Sequence, residues 1–448
     1  MQPEAVSNSP DHDGVNLDGL IACHECDALF RRVPLTKRAR AHCTRCGAVL
    51  YRHLGGTDLP LALAVAGLGL FFLAHVFPFL ALRVEGLEQQ SLVVSGVATL
   101  WEADMPELAV LVALTSIVFP LFNLLGLLWL LVPLRLGWRP PAAAFVARMM
   151  QVLSPWSLLA VFMLGVLISF VKLVDLAAVI PGIALFAFFA LIFVTTAAQA
   201  SFRAEYIWPV PDASGSKAAP SDTAGTDPAR YTLSPDATGA SLGLEGCHVC
   251  GALNEADGLR EASARDHRAC RRCGAALHGM RKADSVNRCW ALVLAAAVMI
   301  IPANVYPVMT VTQLGRGEPS TIISGVIQLI GAGMVGLGLI VFIASIAVPL
   351  AKLALLVYLL VSVQRRSPWS PPQRTRMYRI TEVIGAWSMV DVFIVAVLAA
   401  LVQLGALATI EPEIGASYFG AVVVITMFAA QAFDPRLIWD HAVRGKRR

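Results

Sequence analysis

Ser345-Ile346-Ala347-Val348-Pro349-Leu350-Ala351-Lys352-Leu353-Ala354-Leu355-Leu356 lies inside an apolar segment, 333–363, long enough to cross a bilayer, yet it holds a proline and a lysine. A charge at bilayer depth costs several kcal/mol unless it is paired or hydrated, so by default it marks a functional position. The first half of the chain carries the same run without the charge: Ser116-Ile117-Val118-Phe119-Pro120-Leu121-Phe122-Asn123-Leu124. One copy keeps a lysine where the other has asparagine.

Working outward, 57% of the 448 residues are hydrophobic and 15% are charged, with a mean hydropathy of +0.66. Soluble domains carry about 25% charged residues, so this composition is that of a polytopic membrane protein. Residues 1–20 are polar and acidic, with no basic segment leading into an apolar core, and do not read as a signal peptide. Of the nine cysteines, eight form two sets of paired Cys-x-x-Cys. Cys289 heads an apolar segment and reads as a small packing residue.

The chain repeats itself. Residues 1–20 read as a disordered tail, 21–55 as a first cysteine ribbon and 59–205 as a membrane module with apolar runs at 59–82, 108–134, 152–171 and 180–202. Residues 209–245, rich in Pro, Ala, Ser, Gly and Asp, read as a flexible linker. A second ribbon follows over 246–282, then a second module over 289–434 with runs at 290–311, 333–363, 383–404 and 415–433, and a basic tail over 435–448. His75-Val76-Phe77-Pro78 matches Asn304-Val305-Tyr306-Pro307, and Ser95-Gly96 matches Ser324-Gly325. Trp156-Ser157 matches Trp387-Ser388, and Ala198-Gln199-Ala200 matches Ala430-Gln431-Ala432. The expected fold is an all-α polytopic membrane protein of eight transmembrane helices, a tandem repeat of a small β-rich ribbon followed by four helices.

Loop charges give the orientation. Arg365, Arg366, Arg374, Arg376 and Arg379 lie between the second and third runs of module two, and Arg444, Lys446, Arg447 and Arg448 at the end of the chain. Glu102, Asp104, Glu107, Glu411 and Glu413 lie in the opposite loops. The bias places the ribbons and both termini in the cytoplasm. Each module crosses an even number of times, so the repeats are parallel.

Cys23, Cys26, Cys43 and Cys46, and then Cys247, Cys250, Cys270 and Cys273, have the spacing of zinc ribbons, with sixteen and nineteen residues between the pairs. Four thiolates in a tetrahedron suit Zn2+, and a closed four-cysteine site is structural. A rubredoxin-like iron site for electron transfer is the alternative. The first pair is followed by Asp27 where the other three have glycine. Arg271 and Arg272 are too few for a nucleic-acid face, and no phosphate loop, kinase or hydrolase signature is present, so the chain does not read as an enzyme.

Within the membrane runs, Ser345 and Lys352 are seven apart and share a helix face, as do Ser388 and Asp391, three apart; Thr426 lies in the fourth helix. The corresponding residues of module one are Ser116, Asn123, Ser157 and Ala160, with Thr195 one place out of register. Both charges disappear together, as a Lys352–Asp391 pair predicts, since either alone would be stranded. Such a pair is either a structural staple between helices or a protonatable, substrate-contacting centre. Lys172 and Asp175 form a second charged pair at the end of the third helix of module one, where snorkelling to the interface is the plainer reading.

Two four-cysteine ribbons each ahead of four helices, with His75-Val76-Phe77-Pro78-Phe79 and Asn304-Val305-Tyr306-Pro307-Val308 closing the first helices, resemble the paraquat-inducible protein A family and its LetA/YebS-type branch. The resemblance covers about 20–440. It implies a tetraspanin-like module in the inner membrane of a Gram-negative bacterium, moving lipids to a periplasmic MCE-domain tunnel partner. It also implies that Ser345, Lys352, Ser388, Asp391 and Thr426 form the working polar network. A membrane redox protein and a non-transporting anchor for the tunnel are the rival functions.

Overall fold

The computed structural model describes residues 17–33, 35–36, 39–52, 55–84, 87–174, 178–208, 237–255, 269–277, 284–313, 316–331, 333–367, 369–385, 389–401 and 408–440. They fall into two compact units, one drawn from 1–53 and 208–280 and the other from 54–207 and 281–448.

In the helical unit, the first helix of module one, Asp58–Val76, ends where Pro78 forces Phe77 into extended backbone (φ −90°, ψ 157°). The chain runs on as strand Leu80–Val84, which sits between Leu87–Ser91 and Ala178–Pro181 in an antiparallel sheet. Module two does the same. Helix Ser285–Val305 stops at Tyr306 (φ −78°, ψ 148°), and Met309–Gln313 lies between Arg316–Ser320 and Ala408–Pro412. The far end of the 59–82 run is therefore strand, and loops expected to be merely acidic contain sheets. Each sheet ties the end of a first helix to the start of a fourth.

The fourth helices, Ile183–Ser201 and Ile414–Ala432, start just after this junction. Gly182 N–H donates to Phe79 O (3.1 Å) and Gly415 N–H to Pro307 O (2.9 Å). A Cβ at either glycine would strike the carbonyl of Pro78 or Pro307, so only glycine allows the approach.

Short helices Val93–Glu102 and Ile322–Gly331 follow the hairpins. The duplicated serines are their caps: Leu92 N–H donates to Ser95 Oγ (3.1 Å) and Thr321 N–H to Ser324 Oγ (2.9 Å). The second helices span Pro106–Arg135 and Val335–Gln364. Each contains one π-turn, Leu114–Val118 and Ile343–Ala347, directly ahead of its proline-bearing stretch.

Seven helices are long and apolar enough to cross a membrane among the described residues. The third helix of module two is described in two pieces, Pro371–Gly385 and Val390–Leu401, with 386–388 outside the described residues. Residues 392–399 are all buried, as befits a helix that is apolar all round. This segment packs along Leu159–Val174, where the rings of Phe162 and Phe393 meet edge to face at 5.3 Å. Trp156 and Phe428 make a second ring contact at 4.8 Å.

Order reaches past two expected boundaries. Ile438 and Trp439, placed in a basic tail, are buried, and Trp439 Nε1 donates to Thr375 Oγ1 (2.9 Å). Residues 17–20 of the expected disordered tail form a 3-10 turn and the start of strand Leu20–Ala22.

In the ribbon unit, Leu20–Ala22 pairs with Leu29–Arg31, Arg40–His42 with Val49–Arg52, and Leu244–Gly246 with Leu253–Glu255. Leu29, Leu244 and Leu253 share one small core, joined by Leu17 and Leu20, so the two ribbons pack together. Residues 237–245, assigned to the linker, belong to this unit, and Thr238 bridges to Ala28.

Candidate functional site

Each cysteine pair sits on a knuckle. Cys23 N–H donates to Ala28 O (2.9 Å) and Cys43 N–H to Ala48 O (2.8 Å); Cys247 and Cys270 donate to Ala252 O (2.8 Å) and Ala275 O (2.7 Å). The residue closing each turn is left-handed: Asp27 at φ 60°, Gly47 at 76°, Gly251 at 70° and Gly274 at 69°. Glycine and, next best, Asp or Asn tolerate that region.

Asp27 does more than tolerate the turn. It is 4% exposed, and its Oδ2 accepts from Ala240 N–H (2.9 Å) while its carbonyl accepts from Gly239 N–H (2.9 Å). The departure from glycine gives ribbon one a side chain that holds the lead-in to ribbon two.

The four thiols of each set lie within 4.8 Å of one another. Cys23 and Cys46 sulfurs are 3.4 Å apart, Cys26 and Cys43 3.5 Å, and both cross pairs of ribbon two 3.6 Å. Zn–S bonds of about 2.3 Å in a tetrahedron put sulfurs about 3.8 Å apart, so the donor sets fit such an ion. Mutual hydrogen bonding splits the thiols: Cys26 bonding holds Cys23 below its ordinary range, and Cys23 bonding pushes Cys26 above it. In ribbon two, Cys250 bonding brings Cys247 down to about 5, while burial takes Cys273 up to about 12. Four thiolates do not coexist there without a cation among them. Asn254, which spacing did not flag, supports ribbon two from behind. Its Nδ2 reaches Cys270 Sγ (3.7 Å), and its Oδ1 accepts from Arg271 N–H (3.0 Å).

The second site lies in module two. A proline cannot follow a regular turn without clashing with the carbonyl four residues back. The π-turn Ile343–Ala347 takes up the extra residue, closing with Val348 N–H to Ile343 O before Pro349. Ser345 donates to Val341 O (2.7 Å) within its own helix. One face along, Lys352 is 2% exposed and its Nζ donates to Thr426 Oγ1 (3.2 Å), which itself donates to Val423 O (2.9 Å). Gly385 presses against the same ammonium: a Cβ there would stand 2.6 Å from Nζ. Sequence reasoning missed Gly385, since nothing in its neighbourhood marks it.

The structure thus brings Lys352 and Thr426 together, with Ser345 on the bulge above them. Ser388 lies outside the described residues, as does the side chain of Asp391, whose backbone belongs to Val390–Leu401. Asp175 and the side chain of Lys172 also lie outside them. In module one, Asn123 is 2% exposed and turns back on its own helix, donating to Phe119 O (2.9 Å). Ser116 donates to Val112 O (2.6 Å), the same bond that Ser345 makes.

The chain matches the family described as Paraquat-inducible protein A over residues 58–210 and 286–443. It is 31% identical over 425 residues to the "Intermembrane transport protein PqiA" of Escherichia coli strain K12, covering 94% of this chain and 95% of the relative. It is 28% identical over 435 residues to the "Lipophilic envelope-spanning tunnel protein A" of the same strain, covering 95% and 92%. It is 26% identical over 433 residues to a "Probable intermembrane transport protein" of Haemophilus influenzae, covering 94% and 95%. No solved structure matches the chain significantly.

Proposed function

We propose that this chain, which belongs to the paraquat-inducible protein A family, is the inner-membrane subunit of an intermembrane lipid transport system. It passes phospholipids between the bilayer and a periplasmic MCE-domain tunnel partner. The observation that carries the reading is Lys352, a lysine 2% exposed within an apolar helix and present in one module only. Burying it costs about 3 kcal/mol or more. A helix staple is made more cheaply by apolar packing of the kind Phe162 and Phe393 supply.

An ammonium donates three hydrogen bonds, and Thr426 takes one of them. Ser388 and Asp391 come three and six residues after Gly385, which touches the ammonium. In our reading they complete its surroundings, and Asp391 is the counter-charge whose pairing changes as lipid enters and leaves. The names of the relatives, intermembrane transport and envelope-spanning tunnel proteins, support the assignment to envelope transport. The arginine-rich loops support a cytoplasmic placement of the ribbons and termini. The cysteine sites hold structural Zn2+, and the chain is a transporter, not an enzyme.

The test is envelope complementation and lipid transfer by K352A and D391N in the full chain with its tunnel partner. Loss in both supports the transport centre, whereas wild-type function in both makes the chain an anchor for the tunnel. Metal analysis of the purified protein settles the redox rival: zinc without visible absorption is expected, and iron with a thiolate charge-transfer band favours electron transfer.

A further inference from the structure

We propose that Gly385 is the positioning residue for Lys352, and that Lys352–Gly385 in module two and Asn123–Ser154 in module one are alternative fillings of one space. The proposal deepens the transport reading and rests on it for its functional arm.

Lys352 is among the largest fully buried side chains of the protein. Its Nζ, Cε and Cδ would stand 2.6, 3.1 and 3.9 Å from a Cβ on Gly385, and those lysine atoms are the three nearest neighbours outside the local chain. The last contact is ordinary, the second is tight and the first requires the far end of the lysine side chain to shift. Gly385 is the last described residue of helix Pro371–Gly385 and is not among the glycines of positive φ. Backbone freedom therefore does not explain a poor helix former at this place. Space does.

The duplication supplies the control. Trp156-Ser157 aligns with Trp387-Ser388, which sets Ser154 opposite Gly385, while Pro120 opposite Pro349 sets Asn123 opposite Lys352. In module one the short amide folds back on Phe119 O (2.9 Å), and the serine hydroxyl donates to Gln199 Oε1 (3.1 Å). A long cation meets a missing side chain in one module, and a short amide meets a present one in the other. Gly385 thus decides that module two holds its ammonium beside Thr426.

A hinge role of Gly385 in its own backbone would make any side chain harmful whatever stands at 352. The full-length protein carrying G385S, K352N or both separates the two ideas. Volume exchange predicts that G385S alone lowers the thermal midpoint by at least about 3 °C. The double variant returns to within about 1 °C of K352N alone, because the module-one pair has been rebuilt. An equal loss from G385S with lysine or asparagine at 352 overturns the proposal. Lipid transfer is read in parallel, where G385S is expected to lose at least tenfold and the double variant to stay inactive. If the midpoints couple but K352N transfers lipid normally, the transport reading fails and the volume exchange stands.

Discussion

Asn123 and Lys352 occupy the same turn of the same kind of helix, each following a π-turn and a proline, each 2% exposed. Around them the two modules agree down to single hydrogen bonds: Ser116 and Ser345 back-bond one turn up, Ser95 and Ser324 cap short helices, and Gly182 and Gly415 seat the fourth helices. One difference lies in what stands at Asn123 and Lys352. A duplicated scaffold that is otherwise kept so closely shows that the fold does not need the lysine. Module one folds around an amide that donates to Phe119 O in its own helix; module two carries the cost of a buried lysine.

The comparison can be broken at several depths. The largest effect is expected from K352A, which should lower lipid transfer at least 100-fold, while N123A changes it less than about threefold. Equal losses from both would erase the distinction between the modules. Next comes the packing that both modules share. F393A should cost about 3–5 kcal/mol, lowering the thermal midpoint by about 10 °C, because a buried ring at the contact with Phe162 is lost. T426V removes the lysine's acceptor and should reduce transfer roughly tenfold, whereas T195V, whose hydroxyl bonds only within its own helix, should leave transfer unchanged.

The smallest expected effect concerns the ribbons. D27G keeps the left-handed turn but deletes the bond to Ala240 N–H, which should cost about 1 kcal/mol. Amide exchange over 237–246 should quicken while ribbon one keeps its metal. C270S, by contrast, should release the metal of ribbon two and unfold it, with one metal ion per chain retained in ribbon one.

Much of this was legible in the sequence because it depends on spacing. Cys-x-x-Cys pairs, apolar runs and matched residues are one-dimensional signals, and they place the four-cysteine sets, the modules and the lysine directly. The sheets were hidden because Leu80–Val84 and Met309–Gln313 directly follow apolar helices, and only Pro78 and Pro307 mark the change from helix to strand. Asp27 and Gly385 were hidden for another reason. Their roles lie in partners far along the chain, Ala240 and Lys352, and a residue's own neighbourhood carries no trace of such a partner. The tail and linker boundaries moved because a handful of apolar side chains, Leu17, Leu244, Ile438 and Trp439, sit in segments whose average composition is polar.

In the proposed function, lipid meets the protein at the lysine of module two and not at its counterpart. Photo-crosslinking tests it most directly, with a photoreactive amino acid placed in turn at Leu356 and at Leu127, one turn beyond Lys352 and Asn123, in cells labelled with radioactive phosphate. A phospholipid adduct is expected from position 356, diminished by K352A, and none from 127; equal labelling of both positions, or labelling of 127 alone, would overturn a lipid site at Lys352.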